Sequence, residues 1–270
     1  MRSPSRYYPA FDKPPFCLAV ADATAIPGPI LIDLMTRLDL TESANRSVLN
    51  RMVSSGSLAL SRAGRVGVYR LAGHLLTNFE RIRGGGHPPS WDGRLHTLIY
   101  DTAETRRTAR ERFRAAAMRV GYRSLRPGVL VSPSDQSGAL SGQIRELGVM
   151  PGFLDTDMDT ARAIANRAWS LGDVCEEGER LCEHLEAAAP ELAGLDAESA
   201  FRRLHGLIRP VVAWTVELGG LPAELMPEHW PGRRVHQCLA DIHGVLLPRA
   251  SAFAEAVIRA SPYLELVEWR

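Results

Sequence analysis

Ser43, Arg46, Ser47 and Asn50 recur at steps of three and four residues, so a helix through them would carry all four on one face. Each side-chain type suits a duplex. A guanidinium can bond two acceptors on guanine, a carboxamide can read adenine, and hydroxyls reach bases or phosphates. A short way downstream, Arg62 and Arg65 enclose Ala63-Gly64, a placement that fits phosphate contact and that packing does not explain. The competing reading of the helix face is ordinary solvation, because an exposed amphipathic helix is polar there by default. The surrounding elements decide between the two.

Ile30, Leu31, Leu34, Met35 and Leu38 form an apolar stripe at helical spacing, which predicts a helix from Pro29 to about Leu38 with Asp33 and Arg37 outside. Pro29 suits its first turn, where no backbone donor is missed. Asp39-Leu40 then turns the chain, and Thr41 is placed to cap a second helix that runs to about Ser55 and stops at Gly56. Its inward set is Ala44, Val48 and Met52, with Leu49 and Val53 beside them. Residues 58–60 and 66–71 read as paired strands joined by the loop 62–65. Helix, turn, polar-faced helix and hairpin, in that order, predict a winged helix-turn-helix, whose second helix enters the major groove while the hairpin loop rests on phosphate.

Charge is distributed accordingly. Residues 1–83 carry 11 basic and 6 acidic side chains (+5), residues 84–135 carry 9 and 5 (+4), and residues 136–270 carry 12 and 20 (−8). A polyanion would meet the first half and be repelled by the second. All the basic residues except Lys13 are arginine, whose planar fork suits phosphate and guanine. No run of eighteen apolar residues occurs, and the polar, proline-broken start lacks an apolar core, so a cytoplasmic location is expected.

The run 84–90 (GGGHPPS) reads as a domain boundary. Beyond it, a strand at 95–100, an arginine-rich helix at 104–120, an extended segment at 122–133 broken at 126–128, a helix at 140–147 and an edge strand at 149–153 predict a small α+β sandwich. From Thr160 the pattern is helical throughout, with helices at 161–171, 174–189, 197–218, 233–247 and 250–260. The fold class is therefore α+β, in three segments: 1–83, 84–159 and 160–270.

Nucleophilic and metal chemistry have little support. Ser251 and Ser261 lack any nucleophile-elbow context. Cys175 and Cys182, like His236 and His243, are seven apart, too widely spaced for a zinc site, and with Cys17 and Cys238 the cysteines read as reduced, mostly buried thiols. Asp101, at the end of the 95–100 strand, leaves one enzymatic alternative, a metal-dependent nuclease that holds a divalent ion there. No catalytic residue and no metal ligand are otherwise expected.

The stretch 40–53 (LTESANRSVLNRMV), with Gly56 and the hairpin through Tyr69-Arg70-Leu71, resembles the recognition helix and wing of the PaaX family, bacterial repressors of phenylacetic acid breakdown and related aromatic pathways. The motifs at 91–94 (WDGR), 125–133 (LRPGVLVSP), 168–171 (AWSL) and 221–232 (LPAELMPEHWPG) follow in the family's order. The resemblance implies Arg46, Ser47 and Arg51 as recognition-helix contacts and Arg62 and Arg65 as wing contacts. It further implies that 84–159 is a ferredoxin-like domain, related to a CRISPR-associated nuclease and used for homodimer contacts. It suggests as effector an aryl-acyl-coenzyme A thioester such as phenylacetyl-coenzyme A. Arg202, Arg203, Arg233 and Arg234 are candidates for its anionic end, with Trp214 or Trp230 against its acyl or ring part. Core packing of the tryptophans and pairing of the arginines with nearby acids are the competing readings.

Overall fold

Residues 11–83, 90–101 and 107–270 are described by the computed structural model. The start of the chain to residue 10, the expected boundary at 84–89 and the expected first turn of the 104–120 helix lie outside them. The protein forms two units. One takes Met1–Gly86, Leu181–Ala213 and Arg234–Arg270, and the other takes His87–Arg180 and Trp214–Arg233.

Two elements that the apolar pattern does not announce open the described chain: helix α1 (Lys13–Val20) and strand β1 (Ala23–Pro27). Helix α2 (Gly28–Thr36) follows, with Ile30, Leu31, Leu34, Met35 and Leu38 all buried, as their spacing requires. The turn after it passes through Asp39 at φ +65°. Helix α3 (Glu42–Ser54) is capped by Thr41, whose hydroxyl accepts the Ala44 N–H at 3.2 Å. Gly56 follows at φ +72°, the left-handed stop that glycine tolerates. Val48, Leu49 and Met52 face the core, while Ala44 and Val53 are half-buried.

Strands β2 (Leu58–Ala63) and β3 (Val66–Leu71) pair antiparallel from Leu58↔Leu71 to Ala63↔Val66. The turn is therefore only Gly64-Arg65, shorter than the expected loop 62–65, and Arg62 stands on the strand opposite Gly67. A two-residue loop with positive φ at its first position matches the twist of paired strands, and Gly64 supplies φ +61°. β1 pairs with β3 through Ala25↔Arg70, Ile26↔Tyr69 and Pro27↔Val68, and helix α4 (Gly73–Arg83) follows the hairpin.

The next elements are β4 (Arg94–Ile99), α5 (Arg107–Arg119), β5 (Arg123–Arg126), β6 (Val129–Ser132), α6 (Ser141–Leu147) and β7 (Met150–Asp155). The sheet runs β5-β6-β4-β7, antiparallel throughout, with β7 at an edge as expected. Phe113, Ala116 and Ala117 of α5 pack on Leu98, Tyr122, Leu130, Leu140 and Val149.

Four helices complete the chain: α7 (Met158–Trp169), α8 (Leu171–Ala188), α9 (Ala197–Leu218) and α10 (Gly232–Arg259). The helices expected at 233–247 and 250–260 are one. Pro248 lies inside α10, where Leu246, Ala250, Ala254 and Ile258 are all buried, so burial on both sides carries the helix past a residue that removes a backbone bond. The chain is also not helical to its end. Strand β8 (Glu268–Trp269) pairs with β1, giving the sheet order β2-β3-β1-β8. Its residues are exposed and patternless, and the open edge of β1 recruits them.

Candidate nucleic-acid interface

The outward face of α3 is built by two opposed requirements. Val48, Leu49 and Met52 hold one side against α2, which turns Ser43, Arg46, Ser47, Asn50 and Arg51 outward, and all five are exposed. The Arg51 guanidinium lies over the Phe11 ring at 5.7 Å, and the hydrogen bonds of the set are short-range along the helix. Arg46 pairs with Glu42 one turn back, with Nε at 3.2 Å from the carboxylate. An exposed pair at that spacing is worth about 0.3–0.5 kcal/mol, so a base or phosphate can replace it. Ser47 Oγ donates to the Ser43 carbonyl at 3.0 Å, and Arg51 Nε donates to the Ser47 carbonyl at 3.4 Å.

The hairpin carries its cations at one end. Arg62 and Arg65 are exposed on either side of Gly64. Arg70, not singled out in the sequence, pairs with Glu268 of β8 and donates from Nη1 to Ser61 Oγ at 2.8 Å. A bidentate contact thus ties the base of the hairpin to the C-terminal strand.

The inner side of α3 holds an unforeseen polar group. Asn45 is fully buried and donates from Nδ2 to Thr36 Oγ1 at 3.1 Å, while Thr36 donates onward to the Ile32 carbonyl at 2.8 Å. This chain of bonds fixes α3 on α2. The turn between them is tied down as well: Lys13 Nζ donates to the Leu38 carbonyl at the end of α2, Arg37 pairs with Glu198 at 3.4 Å, and Asp39 accepts from Arg202 at 2.6 Å. One helical turn further along α9, His205 bonds Asp12 at 2.9 Å beside the Phe16 ring. Burial acts to raise the Asp12 carboxyl, but its bond and charge interaction with His205 outweigh this and hold it below the ordinary carboxylate range.

The residues considered for an effector are divided between the units, Arg202, Arg203 and Arg234 in one and Trp214, Trp230 and Arg233 in the other. Arg202 is engaged by Asp39, and Arg234 by Glu186 at 2.8 Å. Arg203 is half-buried and Arg233 exposed. Trp214 is buried, stacks on Trp230 at 5.0 Å and 10°, and donates to the Val174 carbonyl at 2.8 Å. A Cβ on Gly178 would come within 2.9 Å of the Trp214 ring, so this pair is close-packed.

Asp101 is exposed after β4, and no group of three His, Cys, Asp or Glu that could hold a metal ion occurs among the described residues. Cys17 and Cys182 are buried, and Cys175 and Cys238 are partly so. None of the four forms a disulfide, and burial pushes Cys17 well up. No helix among the described residues is long and apolar enough to cross a membrane.

Similarity to known proteins covers most of the chain. Residues 19–75 match the family model for PaaX-like proteins, residues 88–162 that of the PaaX protein central Cas2-like domain, and residues 169–256 that of the PaaX-like protein C-terminal domain. The Transcriptional repressor PaaX of Escherichia coli (strain K12) is 25% identical over 238 residues, covering 83% of this chain and 75% of that protein. Among solved structures, the Uncharacterized protein Rv0674 from Mycobacterium tuberculosis superposes with a TM-score of 0.51 at 25% identity, over 85% of this chain and 90% of that one. Three models in their native order, on a chain whose outward α3 residues and hairpin arginines stand as described, lead to one conclusion: this protein belongs to the PaaX family.

Proposed function

We propose that this protein is a DNA-binding transcriptional repressor of an aromatic-acid catabolic operon, acting in the cytoplasm as a homodimer on a two-fold operator. The order α1-β1-α2-α3-β2-β3 is read as a winged helix-turn-helix, with α3 in the major groove and the Gly64-Arg65 turn on phosphate. The observation that carries this reading is the exposure of Ser43, Arg46, Ser47, Asn50, Arg51, Arg62 and Arg65, none of which is spent in a core. Similarity to a named repressor supports a regulator rather than an enzyme.

The segment 84–159, read as ferredoxin-like from its β-α-β-β-α-β order, carries the dimer contacts. Its edge strand β7 leaves Met150 62%, Phe153 54% and Leu154 40% exposed, apolar surface beside unpaired backbone. A dimer is needed because one recognition helix offers too few base contacts for gene-level selectivity. The segment 160–270 takes the effector, an aryl-acyl-coenzyme A thioester, whose preference for one dimer geometry shifts the population away from DNA. Fluorescence anisotropy with the duplex upstream of the chain's own gene tests the function. Saturable binding at physiological salt, at least about a thousandfold tighter than to an unrelated duplex, is expected. Equal affinity for both duplexes overturns the proposal.

A further inference from the structure

Within the second unit, a cavity of about 310 Å³ is walled by arginines from two elements. Arg110 and Arg114 are one turn apart on α5 and so share a face. Arg126 stands at the β5–β6 turn, where pairing shifts between Ser124↔Leu130 and Arg126↔Val129. Such a bulge leaves Leu125 without a cross-strand partner and re-aims its neighbours, and both Ser124 and Arg126 line the cavity. The walls are firm. The Gly128 carbonyl accepts the Tyr100 N–H at 2.9 Å, which holds the turn against the end of β4, and the Tyr100 ring meets Phe113 of the core edge-on at 5.5 Å.

Three arginines thus line one concavity with a single carboxylate, Glu111, among the lining residues, and Arg110 is already engaged by another group. Among the described residues neither Arg114 nor Arg126 forms an ion pair. Like charges gathered around a hollow repel one another and raise the local concentration of a counter-anion. The planar fork of an arginine matches the oxygens of a phosphoryl group, two walls supply such forks, and Ser124 adds a hydroxyl donor. The volume is at the low end for ligand pockets, so it takes a compact anion or the charged end of a longer molecule. A hollow of about 310 Å³ is too small to admit a duplex.

We infer that this cavity is a binding site for a phosphorylated small molecule, seated with its phosphoryl group among Arg110, Arg114 and Arg126. The site does not depend on the thioester effector proposed above, although a coenzyme A thioester carries phosphoryl groups that suit it.

Calorimetric titration of the full chain with inorganic pyrophosphate and with coenzyme A tests the inference. The unmodified chain is expected to bind pyrophosphate saturably. The double variant Arg114→Ala/Arg126→Ala should raise Kd at least tenfold, while Arg119→Ala, on the same helix outside the cavity, binds like the parent. Should the double variant lose its circular-dichroism spectrum, Arg126→Gln alone must still weaken binding. Pyrophosphate binding without coenzyme A binding keeps the site and removes the thioester from it. No saturable binding of either probe, or equal affinity in the variants, overturns the inference. So does a variant that loses duplex affinity while still binding pyrophosphate, since the arginines then serve DNA.

Discussion

Asp39, held at φ +65° in the turn between α2 and α3, accepts a hydrogen bond from Arg202 of α9 at 2.6 Å. The helix whose arginine was a candidate for the effector is therefore bonded to the turn that leads into α3. Arg202 is 49% and Asp39 78% exposed, so the pair is worth at most about 1 kcal/mol. Asp39→Asn keeps a side chain that tolerates the left-handed region and should cost no more than that. Asp39→Val adds roughly 1–2 kcal/mol of backbone strain. Urea denaturation of the two variants should separate them by at least about 1 kcal/mol.

Arg46 and Arg65 should fail differently. On the proposed docking, Arg46→Ala removes a base contact and is expected to cost about 1–3 kcal/mol against the operator while leaving unrelated duplexes nearly unaffected. On the same docking, Arg65→Ala removes a phosphate contact and is expected to weaken every duplex alike and lower the slope of log K against log salt by about 1. Anisotropy titrations across a salt series distinguish them, and identical profiles would contradict the assignment of helix and hairpin.

Asn45 is buried at the α2–α3 contact, and its Oδ1 has no hydrogen-bond partner. Asn45→Asp places a carboxylate there with no cation, a loss of about 3–5 kcal/mol at neutral pH. Burial raises its pKa above the unfolded value, so stability is retained below about pH 4 and lost as pH rises through the folded pKa. A melting temperature that is lower than the parent's at pH 7 and approaches it in acid is the expected result.

Asp12 gives the opposite sign. Its folded carboxyl is held below the ordinary range, so its contribution is present above about pH 4 and lost as pH falls through the folded value. Urea midpoints between about pH 2 and 6 should fall in acid more steeply for the parent than for Asp12→Asn.

The exposed face of β7 should report on assembly. Phe153→Asp puts a charge on the edge strand and is expected to shift the proposed dimer to monomer by light scattering at micromolar concentration, with a corresponding loss of operator affinity. Phe153 is 54% exposed and lies under the Arg94 guanidinium at 4.7 Å, so the fold itself should lose about 1 kcal/mol. A variant that stays dimeric would place the dimer contact elsewhere.

The α2 stripe, the Thr41 cap, the Gly56 stop and the four solvent-facing residues of α3 were legible because each depends on local periodicity or on one residue's backbone preference. The same holds for the strand and turn sequence from β4 to β7. Pro248 misled for a related reason: a proline marks a local cost, while burial of Leu246, Ala250, Ala254 and Ile258 decides whether the helix absorbs it. Residues Ala23–Pro27 and Glu268–Trp269 gave no signal, because five residues and two residues are too short for a pattern.

By itself, then, the chain of letters determined which faces are apolar, where helices start and stop, and which side chains stand on the solvent side of α3. Tertiary structure alone decided what joins residues far apart in the chain: Asp39 to Arg202, Asp12 to His205 and Arg70 to Glu268. Periodicity reports the environment that a residue prefers, whereas a pairing across 160 positions or more depends on how whole elements pack, and no local preference encodes it.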